Sequence, residues 1–428
     1  MRAFTARDGV LHVEDVPLTS IADSVGTPTY VYSSAHLRDQ YDRLTQALSG
    51  LDAQICYAVK ANSNLSVLRL FHDLGAGFDI VSGGELQRVV SAGGDPGRVL
   101  FSGVGKSVAE IDLALKLEIG CFNVESASEL ERLSERALLL QRPAPISIRV
   151  NPNVDAQTHP YISTGLKENK FGVPPRQALE LYRWANDREH LSIVGIDCHI
   201  GSQIAEIEPL RQSLTSLLEL TDQLADDGIR LRHIDLGGGM GVTYHDETEF
   251  DVAAYGNMLH ELLDGRDIKL ILEPGRYLVA NSGTLLTRVE YLKPQPTPEH
   301  RNFAVVDAAM NDLLRPALYQ AWHDVCVVSP QDGVLAARWD IVGPICETGD
   351  FIAHDRELAL TEQQLLAIMS AGAYGMVQSS NYNTRPRPAE VLVDGSQFRV
   401  VRRRETTRDQ LSLELDSELR ADLVRPAP

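Results

Sequence analysis

The chain has 428 residues, 43% of them hydrophobic and 23% charged. That length exceeds the roughly 250 to 300 residues at which a single core stops growing, so two domains are expected. A formal net charge of −19 disfavours a nucleic-acid partner. No apolar run approaches the ~18 residues of a membrane span. Met1 to Pro17 carry Asp8, Glu14 and Asp15 without an apolar stretch, which argues against a secretory leader and leaves a cytoplasmic location as the default. The five cysteines, Cys56, Cys121, Cys198, Cys326 and Cys346, are odd in number and lack CxxC spacing, which disfavours a disulfide framework or a zinc site.

Residues 1–27 read as strand and turn. From Cys56 onward, short β-rich runs alternate with helical stretches. The predicted strands are Cys56 to Lys60, Phe78 to Ser82, Val99 to Gly103, Cys121 to Glu125, Ile146 to Asn151, Ile193 to Ile200, His233 to Gly237 and Leu270 to Glu273. Between them, apolar residues recur at helical spacing, as in Leu130, Leu133, Ala137 and Leu140, or Leu210, Leu214, Leu217 and Leu224. Eight such units predict a closed (β/α)8 TIM barrel over residues 28–280. An open doubly wound sheet would carry a phosphate-binding glycine loop after its first strand, and none follows Val59-Lys60. Beyond Leu278, short alternating segments at Thr284 to Tyr291, Phe303 to Asp307, Arg338 to Val342 and Gln397 to Val401 predict a second, all-β domain over 281–428, joined by residues 1–27.

Polar residues then fall where such a barrel keeps its chemistry, at the C-terminal ends of strands. Lys60 closes an apolar run, a setting in which an amine becomes a Schiff-base nucleophile; a strand-end lysine that merely reaches solvent is the commoner case. Asp79 and Ser82 lie on the second strand, and His199 and Ser202 follow the sixth. Gly237-Gly238-Gly239-Met240-Gly241 follows the seventh and offers bare backbone N–H groups to a phosphate, although glycine runs are as often plain turns. Glu273-Pro274-Gly275-Arg276 closes the eighth strand with a carboxylate able to keep a heterocyclic nitrogen protonated, or else to form a structural ion pair. Taken with the lysine and the glycine run, it completes a site for pyridoxal phosphate. Gly105-Lys106-Ser107 lacks the first glycine of a nucleotide-binding loop, since position 100 is Leu. No HExxH or similar cluster is present, so no catalytic metal is expected. In the second domain, Cys346, beside Glu347 and Asp350, suits a proton donor, and Arg315 with Tyr319 supplies a cation and a phenol one helical turn apart.

These runs together resemble the fold-type III pyridoxal-phosphate-dependent decarboxylases over nearly the whole chain. Tyr57-Ala58-Val59-Lys60-Ala61-Asn62, His199-Ile200-Gly201-Ser202-Gln203 and Glu273-Pro274-Gly275-Arg276 match the group generally. The run Asp307 to Tyr319, the Cys346-Glu347 loop and Gly372-Ala373-Tyr374-Gly375 match its diaminopimelate branch, with Thr348 where the family usually has Ser. The resemblance implies decarboxylation of meso-2,6-diaminopimelate to L-lysine and CO2. It implies that Lys60 carries the cofactor as a Schiff base, Glu273 pairs with its ring nitrogen and His199 packs on the ring. Gly237, Gly238, Gly239, Gly275 and Arg276 would serve the phosphate, with Asp79 and Ser202 nearby. Arg276, Arg315 and Tyr319 would hold the distal carboxylate of the substrate, Glu347 its distal ammonium, and Tyr374 both cofactor and substrate. Cys346 would act as catalytic acid, contributed across a homodimer interface by the neighbouring subunit. The segment Thr158-His159-Pro160-Tyr161 through Lys170-Phe171-Gly172 resembles one that selects substrate. Two other readings remain: a polyamine-pathway ornithine or arginine decarboxylase, disfavoured by two arginines suited to a distal carboxylate that ornithine lacks, and a non-catalytic cofactor-binding regulator, disfavoured by the presence of both the lysine and the thiol.

Overall fold

The computed structural model describes residues 3–154, 170–296 and 301–414. The chain divides into two compact units: one runs from Leu37 to Ala280, and the other joins the residues up to His36 with those from Asn281 onward.

All eight predicted barrel strands form. They lie at Ala53–Ala58, Gly77–Ile80, Val99–Phe101, Cys121–Val124, Ala144–Arg149, Leu191–Asp197, His233–Asp235 and Lys269–Leu272. Each pairs in parallel with its successor, and the eighth closes on the first with Leu270 opposite Ala53. Several strands end earlier than the sequence suggests, because their last polar residues serve the next helix. Ser82 accepts the Glu85 N–H and caps the helix Gly83–Ser91; Ser126 does the same for Glu129 and Ala127–Leu140. Lys60 likewise sits two residues beyond its strand, in the short 3-10 turn Val59–Ala61. The outer helices bury most of the predicted stripes: Leu130, Leu133 and Ala137 on one, with Leu140 only half-buried, and Leu210, Leu214, Leu217 and Leu224 on another.

Strand period explains what fills the barrel. Cys56, Leu100, Cys121, Val194 and Ile271 form one buried apolar cluster. Residues two positions on share a strand's face, so the next layer toward the C-terminal end contains Ala58, Ser102, Asn123 and Glu273. Asp79, Asp197 and Asp235 are also buried on these strands, with a bulge between Ile193 and Gly195 shifting the register before Asp197. The interior therefore changes from apolar to polar toward the mouth.

The second unit holds a three-stranded antiparallel sheet and a nine-stranded mixed sheet. The long strand Gly283–Lys293 organises the larger one, pairing with Asn302–Val306, Leu365–Ile368 and Thr29–Ser33. The predicted strands near 303, 338 and 397 are all present, at Asn302–Val306, Ala337–Val342 and Gln397–Arg402. Thr29–Ser33 was not singled out from sequence. All five of its residues are buried, as in several barrel strands, but its Thr, Tyr and Ser residues do not make an apolar run and it lies ahead of the strand–helix alternation. Its pairing assigns it to this sheet, and the barrel unit begins at Leu37 rather than at residue 28. Leu18, Ile21, Val31, Leu286, Val391 and Val393 belong to this unit's core. Among the described residues, no helix is long and apolar enough to cross a membrane.

Candidate active site

At the barrel mouth, Lys60 Nζ lies 2.6 Å from Asp79 Oδ2. Asp79 is fully buried on the second strand, whereas the lysine side chain is partly exposed. The other carboxyl oxygen of Asp79 is buried without a hydrogen-bond partner among the described residues. An ion pair thus holds the amine of a partly exposed lysine against a buried carboxylate.

The glycine loop is shaped by its neighbours. Gly237 and Gly239 adopt left-handed φ values of 68° and 97°. A Cβ on Gly238 would stand 2.2 Å from the Glu273 carbonyl oxygen, so the seventh and eighth strand ends meet backbone to backbone. The Ser202 loop is laced to the glycine loop by Ile204 N–H to Gly239 O and Gly241 N–H to Ile204 O, both at 2.9 Å. Gln203 adds a side-chain bond, its Oε1 accepting Val242 N–H at 3.2 Å. Arg276, buried at the start of a short helix, donates from Nη2 to Ser202 Oγ at 3.0 Å and from Nη1 to Tyr244 OH at 2.7 Å. Gly275 precedes it, with Ala58 and Ala61 packed 3.1 Å from where its Cβ would be. A buried guanidinium beside bare backbone at a loop suits a doubly charged phosphate.

His199 accepts the Gly238 N–H at Nδ1, 3.2 Å away, which puts the proton of the neutral ring on Nε2. Burial, then the charges of Arg149 and Lys60, hold this imidazole well below its ordinary pKa. Glu273 receives long contacts from Asn123 Nδ2 at 3.4 Å and Ser102 Oγ at 3.5 Å. Burial pushes its carboxyl well above the ordinary carboxylate range, and the neighbouring Asp235, Asp79 and Asp197 add to the shift. A carboxyl so placed gains stability when a cationic partner arrives. An amine, a neutral ring, a carboxyl and an anion cradle thus fit the aldehyde, face, ring nitrogen and phosphate of pyridoxal phosphate.

Sequence reading missed the buried polar residues behind this surface. Ser102, Asn123, Arg149, Asp197 and Asp235 all lie in or at the ends of barrel strands. The signal was available, as single polar residues inside otherwise apolar runs such as Cys121-Phe122-Asn123-Val124. Lys106, set aside as a failed nucleotide motif, is a structural cation: its Nζ donates to Glu129, Gly103 O and Asn123 O at 2.7 to 2.9 Å. Of the segment resembling a substrate selector, Thr158 to Tyr161 lie outside the described residues. Gly172 N–H donates to Glu125 at 2.8 Å, and Arg149 sits 4.9 Å from the Phe171 ring.

The remaining predicted residues belong to the β unit. Arg315 is buried at the start of the short helix Arg315–Tyr319, with Tyr319 half-buried at its end. Cys346 and Glu347 are exposed in one loop. Asn383 Nδ2 lies 3.4 Å from the Cys346 sulfur, and Tyr382 OH donates to Glu347. Asp350, expected beside the thiol, instead turns inward and accepts the Met310 and Ile345 N–H groups at 2.7 Å, which shapes the loop. Tyr374 is half-buried with a left-handed φ of 54°.

Residues 34–280 match the family model described as pyridoxal-dependent decarboxylase, pyridoxal binding domain. A diaminopimelate decarboxylase of Pseudomonas aeruginosa is 58% identical over 409 residues, which is 96% of this chain and 98% of that one. One from Neisseria meningitidis serogroup B is 53% identical over 95% of this chain and 97% of its own. The crystal structure of the Helicobacter pylori diaminopimelate decarboxylase complexed with L-lysine superposes with a TM-score of 0.89 at 43% identity, covering 93% of this chain and 99% of that one. The chain therefore belongs to the pyridoxal-dependent decarboxylases, in the diaminopimelate decarboxylase group of that family.

Proposed function

We propose that this enzyme decarboxylates meso-2,6-diaminopimelate to L-lysine and CO2, the last step of lysine synthesis, using pyridoxal 5'-phosphate. The observation that carries the reading is the placing of Lys60, Glu273 and the glycine loop with Arg276 around one barrel mouth. When bound, the cofactor supplies an aldehyde that joins an amine and a protonated ring that accepts the electron pair released as CO2 departs.

The roles we assign follow side-chain chemistry. Lys60 anchors the cofactor, and Asp79 holds its amine until then. Glu273 takes the ring N–H, and the neutral His199 packs on the ring face. Gly237, Gly238, Gly239 and Gly275, with Arg276 and Ser202, take the phosphate. Arg276, Arg315 and Tyr319 bind the distal carboxylate, Glu347 the distal ammonium, and Tyr374 touches both ligands. Cys346 returns a proton to the carbon that has lost CO2. Two charge-bearing groups at the far end of the substrate give a reason to prefer diaminopimelate over ornithine, since a buried guanidinium left without its carboxylate is costly.

A panel of amino acids assayed for CO2 release with added pyridoxal phosphate tests the substrate. Release from ornithine or arginine but not from diaminopimelate would overturn the assignment. We also propose a cytoplasmic homodimer in which Cys346 completes the neighbouring subunit's site. Mixing inactive Lys60→Ala and Cys346→Ala chains should then restore about a quarter of full activity through mixed dimers. Absence of any recovery, with subunit exchange verified, would put both residues in one chain's site.

A further inference from the structure

Asp235, at the end of the seventh barrel strand, is used differently at its two oxygens. Oδ1 accepts the Gly237 N–H at 2.9 Å and so supports the left-handed turn that opens the glycine loop. Oδ2 is buried and has no hydrogen-bond partner among the described residues. It belongs to a cluster in which Asp197, Asp235 and Glu273 each bring a carboxyl oxygen within 4.8 Å of the others. Cations near this cluster are already engaged. Arg149 Nη1 binds Glu125 at 2.8 Å, its Nε reaches only to 4.0 Å from Asp197, and Lys60 sits on Asp79.

Three anions this close would repel one another by roughly 4 kcal/mol per pair at an effective dielectric of about 20. The cluster therefore retains protons. A carboxylic acid at Asp235 has its accepting oxygen already turned to Gly237, so its O–H is left for a neighbouring carboxylate. Burial pushes this carboxyl up to about 7 and raises Asp197 and Glu273 as well, so the cluster shares protons, and a cationic ring nitrogen at Glu273 draws the negative charge there and leaves the proton to Asp235. Glu273 is the neighbour that matters for chemistry, because it is also joined to the loop: its N–H donates to Gly237 O at 2.8 Å.

We infer that Asp235 is a positioning residue for the cofactor: as a neutral acid it donates its proton to Glu273 while accepting the Gly237 N–H, tying the ring's carboxylate to the phosphate loop. This rests on the roles proposed above for Glu273 and the glycine loop. Glu273 is then the single anion facing the ring nitrogen, and its negative charge is steadied by a hydrogen bond that adds no second charge. One side chain also sets the spacing between the two handholds.

Asparagine provides the decisive test, because its amide reproduces both bonds, with oxygen to Gly237 and nitrogen to Glu273, but carries no charge. Titration of cofactor-free protein with pyridoxal phosphate should give an affinity for Asp235→Asn within about threefold of the parent, and for Asp235→Ala at least about tenfold weaker. Infrared difference spectra should show a protonated carboxyl stretch in the parent that Asp235→Asn removes. Asparagine as damaging as alanine, alanine without effect on affinity, or no such stretch would each overturn the inference. If Asp235→Ala does not fold, the asparagine affinity and the infrared band decide it. Glu273→Gln separates the two levels: unchanged turnover and affinity there would sink the role of Glu273 itself, whereas a large loss there with a damaging Asp235→Asn would sink only the inference on Asp235.

Discussion

The imidazole of His323 holds the Arg315 guanidinium, with Nη1 2.8 Å from Nε2 on one side and Nδ1 2.8 Å from the Met369 carbonyl on the other. A carbonyl only accepts, so Nδ1 carries the proton and Nε2 offers its lone pair to the arginine. His323 is fully buried and Arg315 nearly so. If Arg315 grips the distal carboxylate, His323→Phe releases the guanidinium from its set direction. The Michaelis constant for diaminopimelate should rise about tenfold, the worth of one charge-assisted hydrogen bond, with kcat changed by less than about twofold. Steady-state kinetics on the folded variant checks this, and a fall in kcat alone would contradict it.

Gly238→Ala should damage the cofactor site. Its Cβ would lie 2.2 Å from the Glu273 carbonyl, and backbone must move to admit it. Affinity for pyridoxal phosphate is expected to fall at least about tenfold, because the same movement displaces Glu273 and the loop together. Gly105→Ala, where no atom lies within 4 Å, serves as the neutral control in the same titration.

Stability should depend on pH through Asp312. Its carboxyl accepts the Ala309 N–H at 2.9 Å and the Asn311 amide at 3.0 Å, and burial pushes its pKa from 3.8 up to about 7. The folded state therefore binds the proton more tightly than the unfolded chain between about pH 4 and 7, so this contribution is fully present below that window and is lost as pH rises through it. Its size is up to about 4 kcal/mol. Comparing the denaturation of the parent and of Asp312→Asn at pH 5 and pH 8 reads it directly. The parent should lose more stability over that interval than the variant does.

Removing the thiol tests the proposed proton donor. Cys346→Ala should lower kcat by about a hundredfold, within the range for general acid catalysis, with little change in the Michaelis constant. Tyr382→Phe, which removes the hydroxyl that donates to Glu347, should act on the Michaelis constant instead. A Cys346→Ala enzyme with undiminished turnover would take the thiol out of the chemistry.

Local pattern carried much of the architecture into view. Each barrel strand is a short apolar run between amphipathic helices, so its period was legible, and the residues proposed for the cofactor stand where those runs end. The overshoot at Ser82 and Glu125 has a local cause as well, since polar residues at a strand's end are read by the backbone as helix caps and loop anchors. Thr29–Ser33 was illegible because it lies ahead of the repeating strand–helix alternation and its Thr, Tyr and Ser residues do not make an apolar run.

The order of residues along the chain already lists the parts: a lysine after the first strand, a carboxylate after the eighth, glycines after the seventh, and an arginine and a thiol in the β unit. How these groups depend on one another follows from the folded ring alone. Asn123, Asp197, Asp235 and Glu273 are far apart along the chain, and closing eight strands into a ring makes them neighbours in a buried interior. Burial there turns ordinary carboxylates into groups that must share protons, a property of the assembled ring that no single segment contains.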